Sequence, residues 1–108
     1  MTQPVLDNNV RYLQIAFNYD LGMVMQTLPR IPQSERILIE AGTPFIKLEG
    51  MDGIRMIRRR WVGHIVADMK ITDGALGEVD MAHDAGATAV TVMGSAPRES
   101  IDLFIERC

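Results

Sequence analysis

From residue 12 onward, short apolar runs alternate with stretches in which apolar residues recur every three or four positions. Tyr12–Asn18 reads as a strand, with Leu13, Ile15 and Phe17 on one face. Asp20 suits the N-cap of a helix whose stripe is Leu21, Val24, Met25 and Leu28, and Pro29 and Pro32 stop it. Arg36–Ala41 is a second apolar run, closed by Gly42-Thr43-Pro44. The pattern then predicts a helix over about residues 50–60, with Ile54, Ile57 and Trp61 inward and Glu49-Gly50 at its start. Gly63–Lys70 is a third strand. Asp73 can cap a third helix carrying Leu76, Val79 and Ala82 (or His83) on one face, and Gly86 ends it. Ala87–Met93 is a fourth strand. Pro97 opens a fourth helix with Ile101, Phe104 and Ile105 as its inner stripe.

Near-continuous apolar strands alternating with helices imply an α/β fold with a parallel sheet. Residues 1–11 are polar without a sustained period and read as a lead-in; residues 12–108 read as one domain of four βα units. A closed (β/α)8 barrel needs ~200 residues or more, so this pattern is equivalent to the N-terminal half of such a TIM barrel. Its first and fourth strands present open edges, which favours association. An open four-stranded sheet covered by helices is the other arrangement the pattern allows.

Composition narrows the class. A net charge of -3 argues against nonspecific nucleic-acid binding. No apolar run approaches the ~18 residues of a membrane span, and no basic-then-apolar leader pattern opens the chain. The single cysteine, Cys108, excludes a disulfide framework within one chain, and a cytoplasmic setting is expected. The eight methionines read as adaptable core filling.

Three charges interrupt the third apolar run as D-x-K-x-x-D: Asp68, Lys70 and Asp73. Asp68 and Lys70 share a strand face with Val66, while Ile65, Ala67 and Met69 face the helices. The C-terminal ends of parallel strands form the ligand face of such sheets. Glu40 ends the second strand on the face of Leu38, which brings it near Asp68. A lysine among carboxylates stays protonated and can stabilise developing negative charge. One carboxylate from each of two strands can hold a hard cation such as magnesium. A strand-end Asp followed by a capping Asp also arises without any chemistry.

Glu40-Ala41-Gly42-Thr43-Pro44, Glu49-Gly50 and Ile65–Asp73 together resemble the orotidine monophosphate decarboxylase superfamily. Within it the likeness is to 3-hexulose-6-phosphate synthase and 3-keto-gulonate-6-phosphate decarboxylase. Leu13–Ala16, Ala85-Gly86-Ala87 and Val90-Thr91-Val92 fit as well. The resemblance implies a homodimeric (β/α)8 lyase that joins formaldehyde to ribulose 5-phosphate through a magnesium-stabilised enediolate. It implies Glu40 and Asp68 as metal ligands, with Lys70 against the enediolate oxygens. Asp73 joins them as a catalytic residue, at a position that commonly reaches the partner subunit's site. Asn18 and Thr43 would contact substrate. Two departures stand out. The family pattern has an Asp where this chain has Asn18, and an amide can bind a sugar hydroxyl but cannot act as an anion. The loops after strands seven and eight, which usually hold phosphate, have no counterpart here. A non-catalytic, self-associating half-barrel and a sugar-acid-phosphate decarboxylase remain as alternatives.

The remaining polar features read as structural. Arg55, Arg58, Arg59 and Arg60 suit a solvated helix end. His64 and His83 lack ligand spacing.

Overall fold

The computed structural model describes residues 5–108; the first four residues of the lead-in lie outside it. The order is β1 (Leu13–Phe17), α1 (Leu21–Thr27), a 3-10 turn (Leu28–Arg30), β2 (Ile37–Ala41), α2 (Thr43–Arg58), β3 (Ile65–Ile71), α3 (Ala75–Ala85), β4 (Ala89–Val92) and α4 (Arg98–Arg107). The four strands pair in parallel in the order β1-β2-β3-β4. Ala16 sits opposite Glu40, and Glu40 opposite Val66. This is the α/β half-barrel arrangement that the alternating pattern predicts.

One face of the sheet carries the core. Phe17, Ile39, Ala41, Ile65 and Ala67 are buried against Val24, Phe45, Ile54, Ile57 and Trp61. A second cluster joins Ile71, Ala75, Val79 and Phe104. Neighbouring helices α1 to α4 touch in sequence and form one layer. The opposite face carries Gln14, Ala16, Leu38, Glu40, Val66, Asp68, Ala89 and Thr91 by strand alternation. Leu38 and Val66 are buried there, yet belong to neither helix-packed cluster.

Several local expectations change. α2 starts at Thr43 rather than near Gly50, because Pro44 fits the first helical turn, where its missing N–H costs nothing. Gly50 instead breaks the helix, with φ 67° and ψ -161°. Glu49, just before the break, accepts the Leu21 N–H at 2.6 Å and so caps α1 rather than its own helix. Asp73 does not cap α3; the cap position is Gly74, one residue later, with no side-chain hydrogen bond. Leu76 and Ile105 are exposed, since Ala75, Val79 and Ala82 form the inner face of α3 and Phe104 that of α4. Trp61 lies beyond α2 but is buried as expected; its Nε1 is buried without a partner.

Arg58 is not solvated like its neighbours. Its Nε donates to Gly86 O at 2.9 Å, and Nη1 reaches the carbonyls of Trp61, Val62 and Gly63 at 2.7, 3.2 and 3.0 Å. Gly86 meets it in the left-handed conformation, φ 111°, where a Cβ would fall 2.7 Å from Arg58 Cγ.

Candidate active site

The charged rim is built by the C-terminal ends of three strands. Asp68 leaves β3 on the helix-free face. Its Oδ2 accepts from Lys70 Nζ at 2.5 Å and its Oδ1 from Thr91 Oγ1 at 2.7 Å. Lys70 Nζ also donates to Thr43 Oγ1 at 2.9 Å, and that hydroxyl donates to the Asp68 main-chain oxygen at 2.6 Å. Thr43 therefore ties the start of α2 to the end of β3. The ammonium is half-exposed and points to the mouth, not into the helical layer.

Burial alone would raise the Asp68 carboxyl. The hydrogen bonds from Lys70 and Thr91 and the Lys70 charge outweigh it and hold the group below the ordinary carboxylate value. Asp68 is thus an anion at neutral pH, paired with a cation two residues along.

Lys70 has φ 47°, the non-glycine residue of the described chain with positive φ. L-residues resist this conformation by roughly 1–2 kcal/mol. The β3–β4 register is irregular over the same stretch, between Ala67 and Ile71.

Glu40 lies on the same face as Asp68. Its register partner is Val66, so Asp68 is one same-face step further along β3 and the two carboxylates are diagonal neighbours. Gln14 Nε2 donates to Glu40 Oε1 at 2.5 Å. Asn18 follows β1 and lies against Gly42: a Cβ at Gly42 would overlap Asn18 Oδ1 and sit 2.7 Å from Phe17 O. The glycine is needed for that close approach. Asp73 is exposed in the turn after β3, near Thr72 Oγ1 at 3.5 Å, and makes no hydrogen bond or ion pair with Asp68 or Lys70. The structure thus brings Lys70, Asp68 and Thr43 into one hydrogen-bonded group. Glu40 stands beside it with Gln14, Asn18 borders Gly42, and Asp73 stays apart.

Two members escape a reading by motif. Thr91 is found by counting strand faces across β3 and β4. Gln14 is found the same way, on the face of β1 that carries Ala16.

Two carboxylates on adjacent strands at an open mouth suit a hard cation that keeps much of its water. Among the described residues no group of three or more His, Cys, Asp and Glu side chains is placed to hold a metal. Asp68 and Glu40 are the two carboxylates on this face; Asp68 already accepts from Lys70 and Thr91, and Glu40 from Gln14.

A parallel sheet covered by helices on one face, with anion and cation gathered at the strand ends, defines a (β/α)-barrel type of domain, here as four units. The chain belongs to the Orotidine 5'-phosphate decarboxylase / HUMPS family, whose sequence model matches residues 11–108. It is 45% identical over 97 residues to the Bifunctional enzyme Fae/Hps of Methanothrix thermoacetophila, covering 88% of this chain and 25% of that protein. The Methanocaldococcus jannaschii Bifunctional enzyme Fae/Hps is 42% identical over 101 residues, 90% of this chain and 26% of that protein. Among solved structures, 3-hexulose-6-phosphate synthase from Salmonella typhimurium superposes with TM-score 0.82 at 33% identity, over 89% of this chain and 46% of that one. 3-Keto-L-gulonate-6-phosphate decarboxylase from Vibrio cholerae gives 0.79 at 29% identity, over 89% and 45%. The chain therefore spans about a quarter of these curated relatives and just under half of the solved ones. No helix among the described residues is long and apolar enough to cross a membrane.

Proposed function

We propose that this chain carries the charged mouth of a 3-hexulose-6-phosphate-synthase-like aldehyde lyase, which joins formaldehyde to C1 of ribulose 5-phosphate. The observation that carries this reading is the Lys70 ammonium, fixed by Asp68 and Thr43 at the open strand ends. Loss of the C1 proton places negative charge on the C1–C2 oxygens, and a pre-positioned ammonium beside them stabilises it. The resulting carbanion equivalent forms a bond to the formaldehyde carbon, whose oxygen then takes up a proton. Asp68 keeps the Lys70 ammonium oriented. Thr43 limits the directions in which the ammonium can turn. Asn18 can hydrogen-bond a substrate hydroxyl but supplies no charge. Glu40 and Asp68 would hold magnesium. When bound, the ion adds positive charge beside the substrate oxygens. Asp73 makes no hydrogen bond to Asp68 or Lys70, and we assign it to the mouth of an associated subunit.

Homo-oligomerisation belongs to the same proposal, since β1 and β4 are open edges and Leu38 and Val66 lie on a face without helices. So does a cytoplasmic setting, in keeping with one free cysteine. The likeness to the Vibrio cholerae decarboxylase favours a second reading, loss of carbon dioxide from a sugar-acid phosphate through the same charge-stabilised intermediate.

The test is exchange of the C1 proton of ribulose 5-phosphate in deuterated water with magnesium present, followed by NMR, then product formation with formaldehyde. Exchange is expected, and Lys70→Ala should lower it about 10²–10³-fold. No exchange by the native chain, or exchange indifferent to Lys70→Ala, would sink the lyase reading. Release of carbon dioxide from keto-gulonate phosphate with no formaldehyde addition would favour the second.

A further inference from the structure

We propose that Thr91, on β4, is the positioning residue that sets the working geometry of Lys70. The inference deepens the lyase reading, in which Lys70 is the cation of the mouth. It starts from the backbone. Ala67 pairs with Val90 and Ile71 with Val92, so β3 advances four residues where β4 advances two. Two extra residues are accommodated in β3, and Thr91 is the β4 residue that faces them. Lys70 takes its left-handed φ inside this stretch. Such a conformation persists only where its surroundings hold it.

The Thr91 hydroxyl provides that hold at both ends of Lys70. Its oxygen accepts from the Lys70 main-chain N–H at 3.0 Å, and its proton goes to Asp68 Oδ1 at 2.7 Å. The direction is forced. A main-chain N–H only donates and a carboxylate only accepts, so the one hydroxyl proton has one destination. Asp68 then presents Oδ2 to the Lys70 ammonium. Thr91 therefore fixes the backbone of Lys70 directly and its charged tip through Asp68. Valine has nearly the same shape and none of these hydrogen bonds. Serine keeps the hydroxyl and lacks only the methyl group.

The experiment compares Thr91→Val with Thr91→Ser in the intact chain. Amide hydrogen exchange at Lys70 and the chemical shift of its side-chain Cε are read by NMR beside kcat and KM. In Thr91→Val the Lys70 amide should exchange faster, and the Lys70 Cε signal should move because Asp68 loses the donor that orients it. kcat should fall about 10–100-fold with KM for the sugar phosphate changed much less. Thr91→Ser should restore all three. Unchanged amide exchange and an unchanged Lys70 Cε signal in Thr91→Val overturn the inference, whatever turnover does. Changed NMR signals with full turnover overturn its catalytic half. Changed NMR signals in a chain whose native form shows no proton exchange on ribulose 5-phosphate retire the lyase reading and leave the positioning role standing.

Discussion

The two ends of the sheet each anchor one cation, and they do so in opposite ways. At the N-terminal ends of the strands, Arg58 is directed at main-chain carbonyls of Trp61, Val62, Gly63 and Gly86. Those acceptors carry no net charge and cannot move without moving the fold. At the C-terminal ends, Lys70 meets a carboxylate and a hydroxyl, on a residue with a strained φ and a half-exposed ammonium. The lower cation closes loops between a helix and the next strand. The upper one is held by side chains and left accessible. A cation satisfied by backbone reports on stability; a cation satisfied by side chains at a mouth is available for chemistry.

The largest effect that sharpens this contrast is at the lower end. Arg58→Met keeps much of the side-chain length but leaves several carbonyls without their donor. Charge-assisted hydrogen bonds are worth about 1.5–3 kcal/mol each, and losses within one cluster do not add fully. We expect a loss of about 3 kcal/mol in urea unfolding, with the slope against urea unchanged. The Lys70 and Thr91 amide signals should stay in place. A loss under about 1 kcal/mol, or movement of those rim signals, would dissolve the distinction between the two ends.

A smaller effect of opposite sign is expected at the upper end. Lys70→Gly and Lys70→Ala both remove the ammonium, so their difference isolates the backbone. Glycine accepts φ 47° freely and alanine does not. Lys70→Gly should be more stable than Lys70→Ala by about 1 kcal/mol, although both lose the cation. Equal stabilities would mean that the left-handed backbone at Lys70 stores nothing, and the rim would then be no more strained than the lower end.

The strand alternation made Asp68, Lys70 and Glu40 legible as one face, because period-two patterning is local. It could not show the irregular register opposite Thr91, which depends on how β3 and β4 align across a helix of intervening chain. Thr91 therefore stayed hidden inside an apolar run. The start of α2 differs from its sequence pattern for a related reason: Gly42-Thr43-Pro44 looks like closure of a strand, yet it is also a helix entry with proline in the first turn. Asp73 looked like a cap, but the helix begins one residue too late for it. Arg58 was readable in principle. It falls four residues after Ile54 and next to Ile57, on the flank of the buried stripe, whereas Arg59 and Arg60 turn outward. Gly86 was legible because a left-handed helix end favours glycine for steric reasons alone.

The smallest expected effect distinguishes the ends by their response to protons. His64 is buried at the lower end, with Nδ1 3.0 Å from Thr88 Oγ1, Tyr12 edge-on at 6.4 Å, and the Arg58 charge nearby. Burial lowers its pKa from the ordinary 6.5; the Val5 main-chain hydrogen bond opposes this and Arg58 adds to it. The unfolded chain therefore binds a proton at His64 at higher pH than the folded chain does. Stability from this group is fully present above pH 6.5 and declines as pH falls through and below that value. The Asp68 carboxyl, held low, begins to cost stability only in the more acidic range below its ordinary value of 3.8. Urea unfolding at pH 7.5 and 5.5 should show a decline in the native chain that His64→Gln flattens, while the Asp68 contribution is constant across that interval. A decline that survives His64→Gln would place the proton sensitivity elsewhere. The lower end would then be as indifferent to mild acid as the backbone carbonyls that hold Arg58.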